Sequence, residues 1–355
     1  MNHLEYNTLI LNGNELTGNA IADFCFESDR EDLNQLGAFI KDWLDESPKI
    51  EVQTSGSTGT PAIIEINKSQ MLQSAGMTAE FFQFKKGETA LLCLPTTYIA
   101  GKMMVVRALY SHLNLFCIPP SANPLTEIPE DLQVDFAPLI PLQLDRVPEK
   151  IHIKNILLGG SPVSPQLERR LSGMPFSIFH GYGMTETLSH VALRRVNGEG
   201  SSKIYQALKG IHFETDDRDC LVIHAPFLKE TVVTNDAVEL LTPESFTWKG
   251  RIDFVINSGG VKLFPEIIES KISSFIGLPF FIAGLPDERF GEKVSLFIEG
   301  DQWDQPMMDS LDRYFVQQLE RFEHPKEIIF LNSFEHTTSG KIKRPATIAK
   351  YLNGI

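Results

Sequence analysis

One stretch, Thr54–Ala62, constrains this sequence more than any other. It reads Thr-Ser-Gly-Ser-Thr-Gly-Thr-Pro-Ala and lies between two strand-like segments, Ile50–Gln53 and Ile63–Ile66. Apolar segments on both sides of a Gly/Ser/Thr cluster predict a hairpin with this stretch at its tip. Glycines let successive backbone N–H groups turn inward, and hydroxyls add further donors. The tip can therefore wrap an anion that presents several oxygen atoms.

Polyphosphate is the ligand that this tip suits, although its spacing is not that of a P-loop. The P-loop pattern ends in Gly-Lys-Ser/Thr and opens a helix, and no such lysine or helix follows here. A solvent-exposed Gly/Ser/Thr linker has the same composition. Taken alone, the stretch is equally compatible with that structural role.

Length and charge narrow the classes of protein. The chain has 355 residues, 42% hydrophobic residues and a formal net charge of -14. It can bury a large core and divide into more than one domain, whereas nucleic acid or an anionic membrane surface would repel it. It has neither an apolar run long enough for a bilayer nor a signal-peptide pattern. We therefore expect a cytoplasmic protein that acts on small anions together with a metal.

The order of strand-like and helix-like segments predicts α/β layering over residues 1–200. Residues 119–148 are rich in proline and are predicted to form a connection that contains a helical turn. The segment Asn155–Leu158 leads into Gly159-Gly160-Ser161, and open α/β sheets bind ligands at such strand ends. Buried strands are predicted at Thr89–Leu94, Leu113–Ile118, Asn155–Leu158 and Phe176–Phe179.

Short alternating strands predict a small antiparallel β-rich part at about 201–252. Within it, Asp236 is expected in a turn, Thr234-Asn235-Asp236. Strands and helices alternate again after Asp253, so we expect a domain boundary there, with domains 1–252 and 253–355.

A second distinctive stretch is His180-Gly181-Tyr182-Gly183-Met184-Thr185-Glu186-Thr187. A dinucleotide fingerprint would need glycine in place of Glu186, so that interpretation is excluded. The residues predict an aromatic ring, a hydroxyl and a carboxylate on a tight turn, which could stack on a base, bind phosphate and hold Mg²⁺. In isolation, a structural turn with a buried tyrosine and a solvated glutamate is the favoured explanation.

Four motifs in a fixed order give the sequence a family resemblance. It resembles the ANL superfamily of adenylate-forming enzymes, which includes acyl- and aryl-CoA ligases, peptide-synthetase adenylation domains and luciferases. The finer pattern, with Leu94–Met104 and Asn257–Pro265, is similar to the short o-succinylbenzoate–CoA ligases of menaquinone biosynthesis. The matching segments are Thr54–Pro61, His180–Thr187, Gly250–Glu269 and Thr337–Arg344.

The resemblance implies a fold and a two-step reaction. The fold is a large N-terminal domain of layered α/β sheets with a small antiparallel β-subdomain, an N-terminally shortened start and a small mobile α+β C-terminal domain. In the reaction, a carboxylate attacks the α-phosphate of ATP, and the thiol of coenzyme A then displaces AMP from the acyl-adenylate. Adenylation supplies the leaving group that a carboxylate lacks, and the protein must orient the reactants and neutralise charge.

The resemblance also implies residue roles in the N-terminal domain. Tyr182, followed by Gly183, would stack on adenine, Thr185 would contact the α-phosphate, and Glu186 would coordinate Mg²⁺. Asp236 and Arg251 would bind the ribose and position the nucleotide. Gly159, Gly160 and Ser161 would lie beside the acyl and adenine pockets. The loop on the β- and γ-phosphates would consist of Thr54, Ser55, Gly56, Ser57, Thr58, Gly59 and Thr60.

The C-terminal domain is implied to rotate about Asp253 between the two half-reactions. In one orientation Lys341 would reach the carboxylate and the α-phosphate, a task suited to a charge on a flexible stem. In the other, Gly259 and Gly260 would line the tunnel for the pantetheine arm of coenzyme A.

Three features depart from the family pattern. Ala62 follows Pro61 where a lysine is usual, which removes one cation from the phosphate loop. Tyr98 occupies the position beside the acyl pocket that is commonly histidine. The phosphate loop begins at residue 54, so most of the N-terminal subdomain of longer members is expected to be missing.

The acid substrate rests on fewer residues. A second carboxylate, as in o-succinylbenzoate, would need a cation or hydroxyls nearby, and the candidates are Lys102, Arg107, Ser189 and His190. Tyr98 is a further candidate for contact with the substrate. Each could equally be structural, and His190 could be a packed imidazole. Another aryl- or acyl-CoA ligase, a carrier-protein-loading enzyme and a non-catalytic nucleotide-binding relative remain alternatives. A homodimer is compatible with the resemblance, since dimers are common in related ligases.

Overall fold

The computed structural model of this protein describes residues 1–53, 63–144, 146–336 and 342–354. Its strands are β1 Thr8–Leu11, β2 Asn14–Thr17, β3 Lys49–Gln53, β4 Ile63–Asn67, β5 Thr89–Leu92, β6 Asn114–Cys117, β7 Gln133–Leu139, β8 His152–Leu158, β9 Ser177–Gly183, β10 His190–Arg195, β11 Ile204–Ala207, β12 His212–Thr215, β13 Cys220–His224, β14 Val232–Thr242, β15 Ser245–Arg251, β16 Ile256–Ser258, β17 Val261–Leu263, β18 Phe280–Asp287, β19 Gly291–Glu299 and β20 Glu327–Leu331. Its α-helices are α1 Asn19–Phe26, α2 Glu31–Leu44, α3 Lys68–Phe82, α4 Ile99–Ser111, α5 Pro165–Leu171, α6 Pro265–Ile272, α7 Gln305–Gln318 and α8 Arg344–Leu352. The chain is of the mixed α/β class, as the sequence predicts.

A thirteen-stranded sheet forms the frame of the molecule, in the order β12-β13-β14-β15-β11-β10-β9-β8-β7-β5-β6-β1-β2. The strands from β9 to β1 pair in parallel. Their inward residues, such as Leu91, Ile156 and Leu158, are fully buried, because helices cover a parallel sheet on both faces. The carboxyl ends of β8 and β9 consequently meet at one edge, which is where the predicted site residues begin.

The predicted antiparallel strands of residues 201–252 are present, and they extend the same sheet. Strand β11 pairs with β10 at Ala192↔Ala207 and Leu193↔Gln206, and β15 and β14 follow. The predicted turn at Asp236 is wrong, since Asp236 lies inside β14. Two short strands were expected there, because the polar run Thr234-Asn235-Asp236 resembles a turn.

Two further expectations are corrected along the chain. Residues 119–148 contain β7, which pairs with β8 over its whole length despite Pro138. The stretch around Tyr182 is not all turn, because β9 continues to Gly183. A Cβ atom on Gly183 would lie 2.2 Å from the carbonyl oxygen of Ser189. Glycine is therefore needed for β10 to approach β9 so closely.

A five-stranded sheet of β16–β20, with α6 and α7 packed on it, forms the second core. The change of sheet falls between Arg251 and Ile256. Asp253 lies there, in a 3-10 helix Ile252–Phe254, and its assignment as domain boundary and hinge stays a prediction.

A hairpin of β3 and β4 flanks the first distinctive stretch, with Gln53 paired to Ile63. The predicted hairpin strands are thus confirmed, whereas the tip lies outside the described residues. Within the described ranges, no helix combines the length and the apolar character needed to cross a bilayer.

Candidate active site

Tyr182, Asp236 and Arg251 come from three different strands of the large sheet and meet at one place. The Tyr182 hydroxyl donates to Asp236 Oδ2 at 2.7 Å. Asp236 and Arg251 are direct partners in the β14–β15 register. Asp236 is 8% exposed, and burial together with the Asp236 carboxylate raises the pKa of Tyr182 well above its ordinary value. Tyr182 therefore remains a protonated donor at physiological pH.

Trp248 joins this cluster, and sequence reasoning missed it. Its Nε1–H donates to Asp236 Oδ1 at 3.1 Å, so both carboxylate oxygens are engaged. The only sequence signal for it is the Gly250 that follows, which has φ +150°. A Cβ atom there would lie 2.5 Å from Glu266 Oε2. That glycine indicates an irregularity in β15, but it does not indicate that Trp248 is the side chain brought to Asp236.

Arg251 turns toward Asp253, the predicted hinge residue. Its Nη2 and Nε donate to Asp253 Oδ2 at 2.6 and 3.1 Å. Asn235 donates to the other Asp253 oxygen at 3.0 Å. Partial burial opposes the charge on Arg251, but the hydrogen bond to Asp253 and the nearby carboxylates raise its pKa overall. Arg251 is therefore a fixed cation at the point where the chain leaves the large sheet.

His180 ties the Gly159-Gly160-Ser161 segment to the sheet. Burial and the Arg194 guanidinium lower the pKa of His180 to about 4, so the ring is neutral. Its Nε2 lies 3.0 Å from the Ser161 carbonyl oxygen, which can only accept, and its Nδ1 lies 2.6 Å from the Tyr205 hydroxyl. Nε2 consequently carries the proton, and Tyr205 donates to Nδ1.

Thr185 and Glu186 follow Gly183 in a short 3-10 helix, Thr185–Thr187. Thr185 is half-buried and Glu186 is exposed. The turn is held by the Thr187 hydroxyl, which accepts from the Met184 N–H at 2.9 Å and lies 2.8 Å from the Ser189 carbonyl. The predicted phosphate and metal residues thus lie on a fixed turn at the end of β9.

A buried polar network contains three of the five residues predicted to contact the acid substrate. Arg107 donates to the Thr78 hydroxyl at 3.2 Å and to the Ser189 hydroxyl at 2.5 Å. His190 contacts the same two hydroxyls, at 3.3 and 3.2 Å. Arg107 is 2% exposed and has no carboxylate partner among the described residues. Burial lowers its pKa to about 10, and burial and Arg107 lower the pKa of His190 well below its ordinary value.

The other two candidates lie elsewhere. Lys102 Nζ donates to the Glu51 carbonyl at 3.2 Å and lies over the Phe39 ring. Burial lowers the pKa of Lys102. Tyr98 is 42% exposed and precedes α4 as its N-cap. Neither makes a hydrogen bond to the network of Arg107, so the structure does not gather all five candidates.

The remaining predicted site residues are Gly259 and Gly260 and a group outside the described residues. Gly259 and Gly260 form the β16–β17 turn, with φ +59° and +83°, and both are exposed. Thr54, Ser55, Gly56, Ser57, Thr58, Gly59, Thr60 and Lys341 lie outside the described residues.

Comparison with known proteins identifies the family. A family model described as AMP-binding enzyme matches residues 51–210. The solved structure of an acyl-CoA synthetase (AMP-forming)/AMP-acid ligase II-like protein from Dyadobacter fermentans is 34% identical, with a TM-score of 0.61. That similarity covers 94% of this chain and 98% of the other. The chain belongs to the ANL superfamily of AMP-binding, adenylate-forming enzymes.

Two curated relatives of this ANL enzyme differ in their substrates. A 2-succinylbenzoate–CoA ligase from Lactococcus lactis is 23% identical over 325 residues, covering 85% of this chain and 71% of that protein. A long-chain-fatty-acid–CoA ligase from Mycobacterium tuberculosis is 24% identical over 338 residues, covering 84% and 66%. Overall identity therefore does not distinguish the two acid classes, and the residues of the acid pocket must be compared.

Proposed function

We propose that this protein is an AMP-forming acid–CoA ligase and that its acid is a dicarboxylate of the o-succinylbenzoate type. In the first half-reaction, a carboxylate oxygen of the acid bonds to the α-phosphorus of ATP, and pyrophosphate leaves. In the second, the sulfur of coenzyme A bonds to the acyl carbon, and AMP leaves as the thioester forms. The thiol proton leaves in that second step, with AMP and water as the available acceptors.

The cluster at the carboxyl edge of the sheet supports the nucleotide part of this reaction. The Tyr182 ring, held edge-on against Phe246 at 5.1 Å between centroids, offers a flat apolar face to adenine. Asp236 offers acceptors to the ribose hydroxyls, and Arg251 places a fixed positive charge nearby. Thr185 would donate to the α-phosphate, and Lys341 would supply a cation to the carboxylate and phosphate oxygens.

A Mg²⁺ ion fits this donor set as a partner of the nucleotide. No group of three or more His, Cys, Asp or Glu side chains suited to a metal occurs in the part of the chain described. Mg²⁺ characteristically takes one or two carboxylates and completes its shell with phosphates and water. The exposed Glu186 carboxylate would therefore hold it. When bound, the ion would neutralise charge on the phosphate oxygens.

The buried position of Arg107 is the observation that supports the proposed class of acid substrate. An uncompensated guanidinium is costly to bury. Among the residues that the structure describes, Arg107 has hydroxyls as its side-chain partners but no carboxylate. A fork of five N–H donors matches the geometry of a carboxylate. Ser189 holds the guanidinium directly beyond the Gly183–Thr187 motif, so a second carboxylate on the acid would find its cation beside the nucleotide site.

An apolar acid would not use this cation. A fatty acyl chain placed against Arg107 would leave the buried charge without a carboxylate partner, so binding would recover none of the cost of burying that charge. The 2-succinylbenzoate–CoA ligase among the relatives acts on an acid with two carboxylates, and the proposed class agrees with it. The fatty-acid–CoA ligase relative agrees less well with this pocket residue.

Mass spectrometry of a reaction mixture tests the proposal. Purified protein is incubated with ATP, Mg²⁺, coenzyme A and a panel of o-succinylbenzoate, benzoate, cinnamates and fatty acids. We expect o-succinylbenzoyl-CoA and AMP as the dominant products. A thioester from a fatty acid alone would overturn the acid class, and the absence of any thioester or adenylate across the panel would contradict the ligase reaction.

A further inference from the structure

The Asp236 carboxylate is held by two neutral donors from different strands. The Tyr182 hydroxyl, from β9, donates to Oδ2, and the Trp248 indole, from β15, donates to Oδ1. The backbone N–H of Asp236 in turn donates to the Thr234 hydroxyl at 3.1 Å. With one donor on each oxygen, the carboxylate plane cannot rotate without breaking a hydrogen bond.

A shift in strand register brings Trp248 to Asp236. Asp236 pairs with Arg251 and Ala237 with Gly250, but Val238 pairs with Trp248, so Lys249 is an extra residue in β15. In a regular strand, residues three apart face opposite sides of the sheet. The extra residue cancels that alternation, so that Trp248 and Arg251 both face the side on which Asp236 lies.

Both donors are neutral groups, so neither compensates the negative charge of the Asp236 carboxylate. Arg251, the nearest cation in the register, gives its guanidinium to Asp253 instead. An ionised carboxylate has about four acceptor positions on its two oxygens, and the two neutral donors occupy two of them. The remaining positions can accept the two hydroxyls of a ribose, as hydrogen bonds to a charged acceptor.

We propose that Trp248 and the Tyr182 hydroxyl form a clamp that orients Asp236 for ribose recognition, which makes Trp248 a positioning residue for the nucleotide. The inference rests on the proposed function in one respect, that the nucleotide binds at this cluster. It assigns a role to Trp248 beyond packing, and a second role to Tyr182 besides contact with the base.

Calorimetric binding of ATP, 2′-deoxy-ATP and 3′-deoxy-ATP in the presence of Mg²⁺ tests the clamp. The variants are W248F and Y182F, each of which removes one donor and keeps an aromatic ring. W303F is the matched control, because Trp303 packs on Phe275 and Phe330 in the second core. Thermal unfolding of each variant verifies that it is folded, and Y182F tests the clamp even if W248F does not fold.

The expected result is a change in selectivity. The wild-type protein and W303F should bind ATP more tightly than at least one deoxy analogue by about tenfold or more, the effect of one hydrogen bond to a charged group. In W248F and Y182F that preference should shrink by about threefold or more. A uniform loss of affinity for ATP and both analogues would overturn the clamp, since packing alone would produce it.

Failure of the proposed reaction can be distinguished from failure of the proposed clamp. Selective ATP binding that W248F diminishes, in a protein that forms no thioester with any acid, would contradict the proposed reaction and support the clamp. Thioester formation with unaltered ribose selectivity in both folded variants would support the reaction and overturn the clamp.

Discussion

Replacement of Arg107 by methionine should reduce activity with the dicarboxylate without reducing the stability of the fold. Burial lowers the pKa of Arg107 from 12.5 to about 10, a difference that corresponds to about 3 kcal/mol of unfavourable free energy for the charged form. The charge is present in the folded protein at every pH below about 10, so this cost applies at neutral pH. The R107M variant loses two hydrogen bonds, to Thr78 and Ser189, which come from a charged donor and are worth about 1.5 kcal/mol each.

The two contributions nearly cancel, so R107M should fold with a free energy of unfolding within about 1 kcal/mol of the wild type. Thr78 keeps its hydrogen bond to the Ser74 carbonyl, and Ser189 keeps His190, so no hydroxyl is orphaned. Urea unfolding measures this difference. A loss of about 3 kcal/mol or more would refute the reasoning, because it would make Arg107 a structural anchor.

Activity with the dicarboxylate should fall, although stability is nearly unaltered. The assay compares o-succinylbenzoate with 4-oxo-4-phenylbutanoate, which lacks only the ring carboxylate. The wild type should prefer the dicarboxylate by about 30- to 150-fold in kcat/KM, the value of about 2–3 kcal/mol for a charge-assisted pair. R107M should lose that preference, and R107K should keep part of it, because lysine retains the charge without the fork.

A cation outside the network provides the control. Arg195 lies on β10 and donates to the Asn197 carbonyl and the Ser177 hydroxyl. R195M should therefore leave the ratio of the two acids unaltered. A wild-type ratio near one, or a ratio that persists in R107M, would refute the role of Arg107.

Three further predictions concern other parts of the chain. K341A should abolish formation of the adenylate but spare thioester formation from supplied acyl-adenylate, and equal loss in both assays would contradict a domain rotation. G183A should lose about 2 kcal/mol or more of unfolding free energy, since its Cβ would meet the Ser189 carbonyl oxygen at 2.2 Å; unaltered urea unfolding would contradict this. Burial raises the pKa of Glu269 from 4.5 to about 7, against the opposing effect of Arg344. Glu269 should therefore destabilise the fold increasingly as pH rises from about 4.5 through about 7, so the stability of E269Q relative to wild type should rise across that window, and a constant difference would contradict the shift.

The sequence predicted the parts of the fold that follow from local patterns. Strand-like segments on both sides of a Gly/Ser/Thr cluster predicted the hairpin strands β3 and β4. Apolar runs predicted the parallel strands β8, which leads to Gly159, and β9, which contains Tyr182. Such patterns depend on which face of a strand is buried, and each segment carries that information by itself. The family resemblance added Asp236 and Arg251, which the structure brings together with Tyr182.

The missed features depend on relations between segments. Trp248 reaches Asp236 only because β15 shifts register by one residue, and a register is set by two strands together. Likewise, β9 continues through Gly181 and Gly183 because β10 approaches it closely. Glycine in a sequence more often indicates a turn than a close approach of two backbones.

The candidate residues of the acid pocket likewise could not be distinguished from the sequence. Lys102 and Arg107 were equal candidates in the sequence, but they are five residues apart on α4. At about 100° per residue, their side chains leave the helix about 140° apart, so they face different neighbours. Only the packing of α4 against α3 and the position of Ser189 before β10 show that Arg107 contacts Thr78 and Ser189.

Exchange of labelled pyrophosphate into ATP tests the central claim most directly, because it follows adenylate formation without coenzyme A. The protein is incubated with ATP, Mg²⁺ and labelled pyrophosphate, with and without o-succinylbenzoate. We predict that label enters ATP only when the acid is present, and that Ala62 after Pro61 is tolerated. No exchange with any acid, together with intact ATP binding, would contradict the assignment of this chain as an adenylate-forming ligase.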